Sequence, residues 1–131
     1  KKKFFKVMID AAHCGDSDLS IAENEKVIKD LAKTDALGIF HASAKTTRGC
    51  LSTDDGWIGA LLAAYAPTGK LKHVFVELFH HQDPALEPLR KAVKGHGVDT
   101  TDGRTYNKTV TDGVIEVTHR LNNLAARKLI K

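Results

Sequence analysis

Three β-rich apolar runs, Phe4–Ala11 (FFKVMIDA), Ala36–Ala42 (ALGIFHA) and Leu71–Phe79 (LKHVFVELF), are separated and followed by segments of helical period. This alternation constrains the fold more than any other feature. Neighbouring strands joined through a helix run parallel, because a hairpin turn cannot make that connection. The expectation is one α/β domain over residues 1–131, a three-layer αβα arrangement with a mostly parallel sheet. Leu71–Phe79 is the most continuous run and fits a central strand covered on both faces.

The intervening segments carry local signals. His13–Asp18 is polar and contains Gly15, which predicts a loop. Ser20-Ile21-Ala22-Glu23 has capping-box spacing, and Ile21, Ile28, Leu31 and Ala32 continue at helical period to about Lys33. Cys50–Thr53 predicts a short further strand. Asp54 or Asp55 can cap a helix running through Ala66 and stopped by Pro67 and Gly69. Asp83-Pro84 starts another, regular from Pro88 and ended by Gly95, with Gly95–Tyr106 as loop. Thr111-Asp112 to Ile130 reads as a C-terminal helix, with Val114–Val117 as a strand the alternative.

Composition removes several classes. A chain of 131 residues, 42% hydrophobic and 27% charged, suits one compact core and neither a disordered nor a fibrous chain. The longest strongly apolar stretch, Trp57–Ala66, is about half of the roughly 20 residues a bilayer span needs, so no membrane insertion is expected. Lys1-Lys2-Lys3 and Phe4-Phe5 are basic then apolar, but charge returns at Lys6 and Asp10, too early for a signal peptide. An exported protein of this kind would have lost its signal already. The net charge of +4 favours anionic partners weakly, and no aromatic-studded basic stripe points to nucleic acid. Cys14 and Cys50 can pair once or stay reduced.

Seven histidines are the compositional excess, and imidazole is the commonest metal ligand. In open α/β sheets ligands collect beyond the carboxyl ends of the strands. The first strand runs into Asp10 and His13, the second ends at His41, and the third carries Glu77 with His80 and His81 just beyond. Two imidazoles and a carboxylate, with one position open for water, make a catalytic zinc set. Glu25 lies four residues after Ile21 and three before Ile28, on the inward stripe of its helix, and is the favoured third ligand. Glu23, already used by the capping box, is its rival, and the choice stays open.

IDAAHCGD (Ile9–Asp16), GIFHASA (Gly38–Ala44) and VFVELFHHQDP (Val74–Pro84) together resemble the three signature segments of zinc-dependent N-acetylmuramoyl-L-alanine amidases, in that family's order. Pro84 falls seven residues after Glu77, as in the family. Ala12 and Cys14 stand where the family has glycines, Ser43 where it has Asn, and the His13–His41 interval is shorter. The resemblance implies Zn2+ held by His13, His41 and an acidic residue, with Glu77 as the catalytic carboxylate. Asp10 or Asp16 would orient a ligand imidazole, and His80 and His81 would contact substrate. Peptidoglycan, or another small substrate, would be the partner. The location would be extracytoplasmic or at the cell wall in that reading, and cytoplasmic otherwise.

Two other resemblances compete. DDGWIGALLAA (Asp54–Ala64), GKLKHVF (Gly69–Phe75) and AKTTRG (Ala44–Gly49) resemble segments of methylglyoxal synthases, which implies a phosphate-eliminating lyase with Asp55 catalytic and Thr46 and Thr47 on the phosphate. Lys70–Leu78, Pro84–Val93 and a strand at Asp112–Val117 would resemble the ferredoxin-like PII signalling proteins, implying a non-enzymatic effector-binding oligomer.

Overall fold

The computed structural model describes residues 5–45, 48–51, 56–95 and 97–131. The elements follow the order β1 (Val7–Asp10), α1 (Ala11–Asp16), α2 (Ile21–Lys33), β2 (Leu37–Ala42), α3 (Trp57–Tyr65), β3 (Val74–Val76), α4 (Glu87–Ala92) and α5 (Tyr106–Ala126). The strands form a small, open, all-parallel sheet in the order β1-β2-β3, flanked by helices and consistent with the expected αβα arrangement. Among the described residues, no helix is long and apolar enough to cross a membrane.

Register divides the sheet into two faces. Ile9, Phe40 and Val74 are lateral partners, and so are Asp10, His41 and Phe75. Successive side chains of a strand point to opposite faces, so these two rows project to opposite sides of the sheet. The first face holds the core. Phe40 is fully buried and meets Tyr65 of α3 edge to face at 6.1 Å, with Ile28 of α2 and Leu61 and Leu62 of α3 in the same cluster. Gly113 of α5 packs so closely over Val76 and Leu51 that an added methyl would meet Val76 Cγ1 at 2.9 Å. The second face is thinner, and Phe75 remains 52% exposed.

Local chemistry accounts for the helix starts. Ser20 and Glu23 form the complete capping box, with the Ser20 N–H donating to Glu23 Oε2 at 2.8 Å. Those bonds to Ser20 hold the Glu23 carboxyl below its ordinary value. Asp10 caps α1 by accepting from the Ala12 and His13 N–H groups, which turns the predicted loop at His13–Asp18 into a helix as far as Asp16. Thr105 caps α5, so that helix begins at Tyr106 rather than at Thr111.

Other expectations change too. Val114–Val117 lies inside α5 and is helical, which removes the strand that the ferredoxin-like reading requires. β3 is an edge strand of three residues, not a central one spanning Leu71–Phe79. It can pair only where β2 offers backbone, and the ladder is carried past its ends by Phe40 N–H to His73 O and Glu77 N–H to Ala42 O. Pro84–Leu86 is a 3-10 turn, with regular helix from Glu87 to Ala92. Cys50 and Leu51 belong to no strand, while Ser52, Thr53, Asp54 and Asp55 lie outside the described residues. α3 starts after Gly56, whose φ of +98° suits glycine.

Before β2, Asp35 is clamped by Lys6 and Lys70, which hold its carboxyl down at about 2. This clamp is stabilising above the ordinary carboxylate value near 3.8 and is lost as pH falls toward about 2. Asp35→Asn should therefore lower Tm at pH 7 but not at pH 2, and added salt should shrink the difference. α1 depends on a closer contact, because a methyl on Gly15 would lie 1.7 Å from the backbone oxygen of Lys45. Although alanine favours a helix by about 1 kcal/mol, overpacking against backbone costs about 1–3 kcal/mol or more. Gly15→Ala is expected to lower the urea midpoint.

Candidate metal and proton-transfer site

The second face of the sheet gathers charge at its carboxyl end. Asp10 closes β1, His41 is its neighbour on β2, and Glu77 follows β3 on the same face, two residues after Phe75. His41 Nδ1 lies 2.8 Å from Glu77 Oε2 and 3.8 Å from Asp10 Oδ2. The His41 ring leans on Phe75 with centroids 5.5 Å apart. Parallel register therefore assembles three groups that are 31 and 36 residues apart in the chain.

Arg48 binds them together. Its Nη1 donates to Asp10 Oδ1 at 3.1 Å, its Nη2 lies 3.0 Å from Asp10 Oδ2, and its Nε lies 3.4 Å from Glu77 Oε1. Nη2 also approaches His13 Nε2 at 2.9 Å. Guanidinium only donates, so His13 Nε2 is the acceptor and the ring hydrogen belongs on Nδ1. The Arg48 group also lies over the Phe79 ring at 5.3 Å, and its carbonyl accepts from the Phe79 N–H. Arg48 has φ +49°, a left-handed conformation that a side chain rarely adopts. Contacts on every side hold it there, a pattern common at functional sites.

The two oxygens of Asp10 have different duties. Oδ1 accepts from two backbone N–H groups and from Arg48. Oδ2 is buried and accepts no hydrogen bond among the described residues, because the Arg48 Nη2 contact has ion-pair distance without hydrogen-bond alignment. Oδ2 thus meets the Arg48 charge without a hydrogen bond, and a buried carboxylate oxygen of that kind suits a cation. Asp10, His41 and Glu77 each offer a donor atom, all within 4.8 Å of one another, and so can hold a metal ion. An imidazole with two carboxylates accepts zinc without singling it out. Beside the group opens a cavity of about 350 Å3, whose lining includes His13, Arg48 and Glu77 on the polar side and Phe79, Leu89 and Val93 on the apolar side.

The remaining expected residues lie elsewhere. Glu25 stands on α2 with Lys29 Nζ at 3.6 Å and does not join the cluster. Asn24, four residues before Ile28, takes the inward position instead, its amide donating to the carbonyls of Cys14, Leu19 and Ser20. Glu23 is occupied by its cap. The His13 side chain meets Arg48 and is not one of the three donors. His80 is 1% exposed, with Nε2 against the Arg104 carbonyl at 2.8 Å and Nδ1 accepting from the Gln82 N–H. Both of its nitrogens are engaged within the fold, outside the Asp10–His41–Glu77 cluster. His81 is tied to Thr100 through its backbone N–H and Nδ1.

Cys14 and Cys50 are not joined by a disulfide, and burial together with Asp10 pushes the Cys14 thiol up. Asp16 is exposed on the cavity rim. His73 and His119 are exposed, while His96, Thr46, Thr47 and Asp55 lie outside the described residues. Arg48, the keystone of the site, has no counterpart among the expected residues, because it lies in no periodic segment and only folding brings it to the carboxylates.

The chain matches no protein-family model, no curated protein and no solved structure.

Removing Arg48 would leave a buried carboxylate without its counter-charge, and breaking such pairs costs about 3–5 kcal/mol when burial is complete. Arg48→Ala is expected to approach the lower end of that range in urea unfolding without divalent ions. A divalent cation should restore stability more in the variant than in the parent, through binding to the folded state alone. Equal stabilities of variant and parent would remove Arg48 from this role.

Proposed function

We propose that the protein is a metal-dependent hydrolase, with zinc as the ion and the amide between N-acetylmuramic acid and L-alanine of peptidoglycan as the bond cleaved. The observation that carries this reading is the convergence of Asp10, His41 and Glu77 at the carboxyl end of a parallel sheet, with Asp10 Oδ2 accepting no hydrogen bond among the described residues. The three signature-like segments each contribute one member: Ile9–Asp16 gives Asp10, Gly38–Ala44 gives His41 and Val74–Pro84 gives Glu77.

Bound zinc would polarise the amide carbonyl and bring the pKa of a bound water to about 7. Asp10 and His41 would hold the ion, with His13 as the third ligand once freed from Arg48. Glu77 would take a proton from the attacking water and return it to the leaving amine, acting first as general base and then as general acid. Its Oε1 sits against Arg48 and its Oε2 against His41, so the carboxylate is oriented before any substrate arrives. Phe79, Leu89 and Val93 would shield that transfer from bulk water. Arg48 would have to release His13 before the His13–His41 pair of the signature could act on one ion.

Equilibration with zinc followed by desalting should leave about one ion per chain, the count expected of a catalytic site. His41→Ala should abolish retention, and muropeptide digestion should free the amine of L-alanine. Glu77→Gln should keep the ion while losing at least about 100-fold in turnover, the usual contribution of a positioned base. Failure to retain zinc, or turnover unaffected by chelators, would overturn the reading. Loss of metal in Glu77→Gln would move Glu77 from proton carrier to ligand.

A further inference from the structure

A second cavity lies away from the cluster, at the end of the sheet where β3 begins. It measures about 690 Å3, within the range of small-molecule sites. Leu71 and Val74 form one wall, the turn after α3 a second, and Leu121, Leu129 and Ile130 of the α5 terminus a third. α5 ends in a tight reversal, with Leu129 N–H bonded to Leu124 O and Lys128 N–H to Ala125 O, and Lys128 at φ +57°. This reversal sends Leu129 and Ile130 back across the opening, leaving Leu129 42% exposed.

Charge gives the cavity its second property. Lys72, Lys128 and Lys131 line it, and no acidic residue does. Lys6, Lys33 and Lys70 are paired with carboxylates, but among the described residues none of the three lining ammonium groups has an ion pair or side-chain hydrogen bond. The cavity also receives the ends of α3 and α5, whose carbonyls contribute about half a negative charge each. Three ammonium groups exceed that sum, so the opening stays positive over an apolar floor.

We propose that this cavity binds a single-chain anionic amphiphile, its alkyl chain along Leu71, Leu121, Leu129 and Ile130 and its carboxylate or phosphate head among Lys72, Lys128 and Lys131. The site is independent of the metal-binding group and of any reaction performed there. Neither property alone selects this ligand: an apolar floor accepts neutral chains, and lysines attract any anion.

The test is calorimetric titration of the full chain with decanoate, decyl phosphate, inorganic phosphate and neutral decyl maltoside, each below its micellar concentration. Saturable one-to-one binding of decanoate, decyl phosphate or both is expected, and which of them binds identifies the head group. Inorganic phosphate and the maltoside should bind at least about tenfold more weakly, each lacking one of the two attractions. Lys72→Glu/Lys128→Glu should weaken the amphiphile by about tenfold or more. In the unaltered protein, proton NMR should give contacts from the ligand chain to Leu121, Leu129 and Ile130, which keeps the test valid if the variant fails to fold. Equal binding of the maltoside, ligand contacts elsewhere, or cosedimentation with phosphatidylglycerol vesicles without binding of free amphiphile would overturn the proposal.

Discussion

The Arg48 guanidinium is the contact on which the site depends. Two carboxylates brought together by a parallel register repel one another, and Asp10 is 4% exposed, where water screens little. Arg48 answers both from a side chain that is itself only 14% exposed, and its planar fork reaches Asp10 through two nitrogens and Glu77 through the third. A lysine carries the same charge but cannot span both groups. The left-handed backbone at Arg48 is the conformational cost of bringing that fork to its position.

The core supports this arrangement from the other face. Phe40 and Ala42 point into the cluster built with α2 and α3 while His41, between them, points to the charged side. A one-residue slip of β2 would exchange these faces, exposing Phe40 and burying the imidazole against α3. Burial of Phe40 therefore fixes His41, and the apolar and the charged functions of the strand are set by one register.

Much of the fold is legible in the sequence because its signals are local. The capping box at Ser20–Glu23, the apolar runs of β1 and β2 and the helical period of α2 each lie within a short window, and each appears in the structure. Strand order is not local: Leu71–Phe79 has the composition of a central strand, yet β2 takes the centre because both crossovers step the same way. At the site, His41 and Glu77 can be anticipated from strand ends. The inward residue of α2 differs by one position from the expected Glu25, since the face is set by Ile28, whose partner one turn earlier is Asn24. Arg48 carries no periodic signal, and its importance exists only in three dimensions.

The division of labour within Asp10 has a consequence for how the site fills. Oδ1 belongs to the backbone of α1 and Oδ2 faces the other two donors, so an arriving cation can engage one oxygen without taking the other from the helix. Arg48 Nη2 stands 3.0 Å from Oδ2, so a cation there would have to share that oxygen with the guanidinium or displace it. The three donor atoms stand within 4.8 Å of one another without an ion, so a cation would meet donors that the fold has already arranged.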